Sequence, residues 1–309
     1  MTVAIRCSQL YKSYDNKVEA VRGLDLEVQV GECFGMLGPN GAGKTTTIEI
    51  LEGLLEPTAG VVEILGRQWG KQDLELRQLL GICLQETRLP EKLTVLEILR
   101  LFRSFYSSGR DPREVMEKVA LVEKADTWVS KLSGGQKQRL AVACALVGDP
   151  KILFLDEPTT GLDPQSRRQL WDIVREFKKS GGTVLLTTHY MDEAERLCDR
   201  VAIVDHGVVI ALGSPSELIA SLGAEHVVEF TLENVDGLPT DGISKLSSVK
   251  SVRAEGAGYS LNVEEPHVAI PALIQYLRDS GAALAGLTTR HASLEDVFVT
   301  MTGRHLRDR

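Results

Sequence analysis

The feature that most constrains this chain sits near residue 40. A compact apolar run, Cys33–Leu37, stops at Gly38-Pro39-Asn40-Gly41-Ala42-Gly43-Lys44-Thr45, and a helical pattern, Thr45–Leu54, follows at once. The loop fits G-x-x-x-x-G-K-[ST] at every fixed position, in the strand–loop–helix setting that the pattern requires. Glycines let consecutive backbone N–H groups curl around an anion, and the helix N-terminus adds a partial positive charge. Lys44 can then reach the β- and γ-phosphates of a nucleotide, and the Thr45 hydroxyl can ligate Mg2+. The alternative is an ordinary glycine-rich turn, but average composition makes a chance match in a chain this long a roughly 1% event. The loop therefore predicts nucleotide binding.

Around it, short apolar runs alternate with helical stretches. Ile152–Leu155 and Thr183–Thr188 read, like Cys33–Leu37, as strands buried on both faces. Helical patterns cover Leu93–Tyr106, Pro112–Val119, Gln136–Val147, Pro164–Lys179 and Met191–Cys198. The alternation predicts an α/β fold with a largely parallel sheet. Val3–Tyr14 and the stretch Val18–Val30, broken by turns, look instead like antiparallel strands at the edge of a mixed core. The pattern changes after a turn and short helix at Gly213–Leu222. There His226–Leu232, a weak helix Ile243–Ser248, a hairpin Val249–Ala254/Tyr259–Val263 about Glu255–Gly258, a helix Pro266–Arg278, a strand Leu284–Thr289 and a helix Ser293–Met301 give the βαββαβ order of a ferredoxin-like unit. The expected domains are 1–222 and 223–309, in keeping with two domains for 309 residues.

Composition narrows the function. A net charge of −8 argues against a nonspecific nucleic-acid binder. Five cysteines with no CxxC spacing read as reduced thiols of a cytosolic protein, neither a disulfide frame nor a zinc site. No apolar stretch approaches the about 20 residues of a membrane span, and no secretory signal opens the chain.

The run Ile152–Leu155 ends in Asp156-Glu157, at the strand end where parallel α/β folds place chemistry. Asp156 suits Mg2+ binding through water, and Glu157 suits polarising the water that attacks a γ-phosphate. The bland alternative is a solvated pair capping the next helix. Asp163, before Pro164, reads alone as a helix N-cap. His189 after Thr183–Thr188 reads alone as a cap or a satisfied core group, and Gln85 is only a polar residue at a strand end. Leu132-Ser133-Gly134-Gly135-Gln136 opens a helix and makes a second anion site from a hydroxyl, glycine N–H groups and a helix dipole. Two such surfaces on one chain can both serve if two copies face each other head to tail around the nucleotides, a twofold arrangement.

The order of phosphate loop, glutamine loop, LSGGQ, Asp-Glu strand, Gly161-Leu162-Asp163-Pro164 and Thr188-His189 resembles the ATPase subunit of an ABC (ATP-binding cassette) transporter over about residues 3–220. The resemblance implies a RecA-like mixed-sheet core with antiparallel and helical subdomains, ATP and Mg2+ as ligands, and ATP hydrolysis. It makes Gln85 a sensor of Mg2+ and γ-phosphate, Asp163 a residue crossing the dimer interface, and His189 the switch on the γ-phosphate. It assigns the phosphates to Gly38–Thr46, including Thr46, and to Ser133, Gly134, Gly135 and Gln136 of a second copy. Tyr14, 24 residues before Gly38, stands where the family stacks an aromatic on adenine; Tyr11 competes. Glu157, Lys44 and His189 are all the catalytic residue types, which implies hydrolysis and not binding alone.

The stretches Gly38–Thr47 and Thr188–Glu195 and the tail from Ser293 through Thr302-Gly303-Arg304-His305-Leu306-Arg307-Asp308 are similar to the branch serving ABC-2 type exporters of drugs and antibiotics. Its members work as pairs on separately encoded membrane permeases, at the inner face of the membrane. An importer subunit and a soluble non-transport ATPase are the rivals. The substrate belongs to the permease and is not legible here.

Overall fold

A computed structural model describes residues 2–15, 18–233, 238–255 and 258–303. The hairpin tip Gly256-Ala257 and the tail Arg304–Asp308 lie outside the described residues. The chain divides into two compact units, Met1–Ser214 and Pro215–Asp308.

The first unit runs β1 (Val3–Tyr14), β2 (Val18–Gln29), β3 (Cys33–Leu37), α1 (Lys44–Leu51), β4 (Ala59–Ile64), α2 (Asp73–Leu79), β5 (Leu80–Cys83), α3 (Val95–Arg103), α4 (Pro112–Lys118), α5 (Gly134–Leu146), β6 (Ile152–Asp156), α6 (Pro164–Lys179), β7 (Thr183–Thr188), α7 (Met191–Leu197), β8 (Arg200–Asp205) and β9 (Val208–Gly213). Six strands form one sheet in the order β5-β6-β7-β3-β8-β9. All its pairings are parallel except that of β8 with β9. Every residue of β3, β6 and β7 is buried, which is why their sequences are apolar runs without alternation. Strands β2-β1-β4 form a separate antiparallel sheet. Val18–Val30, expected as broken, is one strand to Gln29; its irregularity is taken up by register shifts against β1, one of them between Leu10 and Tyr11.

Helices α3, α4 and α5 pack on one another, and α5 also packs on β5. Two of them open with capping boxes, Thr94 with Glu97 and Ser133 with Gln136, so orphan N–H groups of the first turn are satisfied locally. Asp163 caps α6, accepting from Gln165 N and Ser166 N, with Pro164 at the first helical position. Sequence patterns did not locate β4, α2, β8 or β9. No helix among the described residues is long and apolar enough to cross a membrane.

The second unit runs α8 (Pro215–Ala220), β10 (His226–Glu233), α9 (Thr240–Ile243), β11 (Val249–Glu255), β12 (Gly258–Val263), α10 (Pro266–Asp279), β13 (Ala283–His291) and α11 (Leu294–Thr302). Its sheet order β11-β12-β10-β13, antiparallel throughout, is that of a ferredoxin-like βαββαβ unit. The short helix expected at Ile243–Ser248 lies earlier, at Thr240–Ile243, where it buries Ile243 in the core cluster that also holds Leu261 and Leu273. Helix α8 contacts α11, so it belongs to this unit, and the division falls at 214 where sequence patterns suggested 222.

Arg290 on β13 holds the second unit's sheet to α11. Its guanidinium donates to both oxygens of buried Asp296, at 2.7 and 2.8 Å, and to Glu229 on β10. Burial works to raise the Asp296 carboxyl, but the Arg290 fork and the Ser293 N–H and hydroxyl hold it below the usual carboxylate range. A lowered pKa stabilises the fold above the unfolded value, and that stability is lost as pH falls through the folded value. Asp296→Asn is therefore expected to weaken this unit by about 2 kcal/mol at neutral pH and by much less at an acid pH where the Asp296 carboxyl is protonated in the folded protein. Hydrogen exchange of the β10 and β13 amides at the two pH values checks this.

Candidate active site

The phosphate loop leaves the C-terminal end of β3. Its neighbours are registered so that Leu37 lies beside Thr188 of β7, and Thr187 beside Asp156 of β6. Cys83, at the end of β5, lies beside Leu155. One sheet edge thus collects Gly38, Gln85, Asp156, Glu157 and His189 from four strands.

The loop is shaped by close approach. Gly38 has φ 157°, and a Cβ there would sit 2.2 Å from the Val204 carbonyl oxygen of β8. Lys44 is 5% exposed and donates to the Gly38 and Pro39 carbonyl oxygens at 2.8 and 3.1 Å. Burial pulls its ammonium below the ordinary lysine range, against the pull of Glu157 and Asp156. The Tyr14 hydroxyl lies 3.5 Å from Thr46 Oγ1, beside the start of α1. Tyr11 instead lies over the backbone of Gly23 in β2.

Glu157 carries the densest network. Its backbone sits at φ 44°, in the left-handed region that costs a non-glycine residue about 1 kcal/mol. The conformation is held by its N–H, which donates to the Thr187 carbonyl and hydroxyl oxygens. One carboxylate oxygen, Oε2, faces Gln85 Nε2 at 3.2 Å, Thr160 Oγ1 at 3.1 Å and His189 Nδ1 at 3.2 Å. The His189 contact, aided by Thr160 and Lys44 and opposed by burial, holds Glu157 below the usual carboxylate range. It is therefore an anion at neutral pH, as a base or water-orienting group requires. Asp156 beside it is buried, bonded to the Thr187 hydroxyl, and raised, chiefly by burial.

The other sequence-derived residues lie apart from this cluster. Ser133 and Gln136 bond to each other, and no hydrogen bond among the described residues joins Ser133, Gly134, Gly135 or Gln136 to the phosphate loop. Gly135 packs on the Ser166 side chain, which donates to Asp163 at 2.6 Å. The second anion surface and Asp163 therefore form a connected feature of their own.

Sequence reasoning missed Thr160, Thr187 and Glu52. The two threonines have no pattern that marks them. Glu52 does: it is the one charged residue in Ile50–Leu55, a stretch otherwise of aliphatic residues and glycine. It is 3% exposed, and neither carboxyl oxygen has a hydrogen-bond partner among the described residues. Burial, with Asp156 and Glu49 adding to it, pushes its pKa up to about 8.

The ABC transporter family profile matches residues 21–160. The chain is 39% identical to a Nod factor export ATP-binding protein I of Cupriavidus metallidurans over 320 residues, covering all of both chains. The chain belongs to the ABC transporter ATP-binding family. It is 33% identical to the linearmycin resistance ATP-binding protein of Bacillus subtilis, covering 98% of this chain and all of that one. A solved ATP-binding cassette, a dimer in a post-hydrolysis state bound to ADP and phosphate, superposes with TM-score 0.61 and 26% identity, covering 68% of this chain and 98% of that one. The chain is an ATP-binding, ATP-hydrolysing ABC subunit with the cassette fold.

A raised carboxyl pKa favours the fold below its unfolded value, and that contribution is lost as pH rises through the folded value. For Glu52 the loss runs from about pH 4.5 to about pH 8. Glu52→Gln, isosteric with the protonated acid, is expected to match wild type at pH 5 and to melt higher at pH 8.5 in nucleotide-free protein. Thermal unfolding at both pH values checks this.

Proposed function

We propose that this cassette powers export of a drug-, antibiotic- or lipid-like compound through a separate ABC-2 type membrane permease. The observation that carries the hydrolytic half of this reading is the ionised Glu157, its Oε2 surrounded by Gln85, Thr160 and His189 at the strand end beside the phosphate loop. The export half rests on relatives named for Nod factor export and linearmycin resistance, whose likeness runs through the ferredoxin-like unit and not only the cassette.

In this reading the amides of Gly38, Pro39-flanked Asn40, Gly41, Ala42 and Gly43, with Lys44, Thr45 and Thr46, hold the nucleotide phosphates. Tyr14 stacks on the adenine. The Thr45 hydroxyl, the Gln85 amide oxygen and the buried Asp156 carboxylate would hold Mg2+; all are hard oxygen donors, as that ion requires, and a cation would offset the burial that raises Asp156. Bound there, the ion supplies charge neutralisation to the phosphates. Glu157 orients the attacking water and takes its proton, while His189 steadies Glu157 and meets the γ-phosphate.

Ser133, Gly134, Gly135 and Gln136 of a second copy close over the γ-phosphate in a head-to-tail dimer, with Asp163 at the interface. Relatives of the cassette form dimers, which supports this arrangement. The first unit, Met1–Ser214, serves as the nucleotide-binding domain and the second, Pro215–Asp308, as a small C-terminal domain. The subunit then acts at the cytoplasmic face of the membrane, bound to its permease.

Glu157→Gln is expected to retain ATP binding, lose turnover at least about a hundredfold, and accumulate a closed dimer. Captured with ATP from mildly solubilised membranes, it should bring down a polytopic membrane protein. Recovery of soluble partners alone would overturn the transporter reading, and wild-type turnover would remove Glu157 from its role. Ser133→Arg is expected to block ATP-driven dimerisation, read by light scattering, while nucleotide binding to the monomer persists.

A further inference from the structure

Outside the nucleotide site, a groove of about 390 Å3 between α6 and α7 is lined by four arginines. Arg167, Arg168 and Arg175 enter it from α6 and Arg196 from α7. Two acids answer four cations. Asp172 pairs with Arg175 at 3.0 Å, and Asp192 approaches Arg167 only to 3.8 Å. Arg168 and Arg196 have no acidic partner among the described residues. The Arg196 guanidinium lies 5.6 Å from the ring of Trp171, which lines the same groove and is only 6% exposed. The Arg167 Nε–H is buried with no acceptor among the described residues. A surplus of guanidinium donors thus lines one concavity, with the unsatisfied Arg167 Nε–H buried beneath it, in a chain whose net charge is −8.

We propose that this groove binds an anion carrying phosphate groups, at a site distinct from the phosphate loop. Guanidinium presents paired N–H donors that match phosphate oxygens bidentately, and two unpaired arginines across a groove suit a compact anion. The volume is that of a small-ligand site. The lining of the groove is confined to α6 and α7, in an acidic chain, whereas a nucleic-acid backbone needs an extended basic track. The site also touches the catalytic network. The Arg167 guanidinium lies 4.1 Å from the Tyr190 ring centroid, and the Tyr190 ring lies 4.1 Å from that of His189. An anion that binds Arg167 in the groove therefore acts one ring contact away from the histidine on Glu157. The inference rests on α6 and α7 alone and stands or falls independently of the export reading.

The test uses the full chain with Lys44→Ala to disable the phosphate loop, and pyrophosphate as the probe in calorimetry. Binding is expected to persist in Lys44→Ala and to weaken at least about tenfold when Arg168→Glu and Arg196→Glu are added. Flotation with phosphatidylcholine vesicles, with and without phosphatidic acid, separates the two sources of phosphate. Flotation that depends on phosphatidic acid and on both arginines assigns a lipid headgroup. Arginine-dependent pyrophosphate binding without flotation assigns a soluble phosphate compound. Arg168→Glu/Arg196→Glu in an otherwise native chain should keep its melting temperature and basal ATPase rate, which excludes misfolding as the cause. Pyrophosphate binding and flotation both indifferent to the reversal would overturn the proposal, as would binding of an acidic peptide in place of either.

Discussion

The active edge depends on the parallel register of β6, β7 and β3. Strands buried on both faces leave no room for a one-residue slip, since each side chain would exchange one packed layer for the other. With Leu37 fixed beside Thr188 and Asp156 beside Thr187, the chain has no choice about which groups meet beyond the strand ends. Thr187 shows how tightly the pieces are tied. Its hydroxyl bonds the Asp156 carboxylate and accepts from Glu157 N–H, and its carbonyl accepts from the same N–H. The left-handed turn at Glu157 is thus stabilised by the neighbouring strand and not by its own local preference, the usual condition for strain at a functional position.

The same register makes the edge electrostatically expensive. Lys44, Asp156 and Glu52 are each nearly buried, and burial moves each toward its neutral form: the lysine down, the two acids up. Glu157 is the exception, because three polar side chains converge on one of its oxygens. The network therefore separates two adjacent carboxylates by environment, one kept ionised by donors and one left short of counter-charge. That contrast suits a division of labour between proton acceptor and cation ligand.

What was legible in the sequence follows from this physics. Strands β3, β6 and β7 could be read because double burial demands uninterrupted apolar runs, and α6 because Asp163-Pro164 opens it and Ser180-Gly181 closes it. The ferredoxin-like order could be read because its elements are short, regular and separated by turn residues. Strand β4 escaped because it is a largely exposed edge with no alternation, and β8 and β9 because a charged start and a half-exposed partner blur the pattern. Among site residues, Lys44, Glu157 and His189 sit in motifs with fixed spacing. Thr160, Thr187 and the Arg167–Tyr190 stack do not, since each acquires its role only from a contact made across the fold.

The second anion surface at Ser133–Gln136 is the clearest case of a group whose purpose the single chain does not supply. Ser133 and Gln136 satisfy each other, and Gly135 is pressed against Ser166, so the opening of α5 is rigidly set beside the opening of α6. The first N–H groups of a helix have no partner inside it. The Ser133 hydroxyl covers the N–H of Gln136, which leaves those of Gly134 and Gly135 aligned with the helix dipole. Two preorganised donors held away from the chain's own phosphate loop are of use only to an anion delivered from elsewhere. A second copy's γ-phosphate has the required charge, and placing it there by a twofold axis gives its own loop the same service. In the proposed head-to-tail dimer, half-sites that do not meet within one chain would convert nucleotide binding into association, and so into a force on whatever the two chains are attached to.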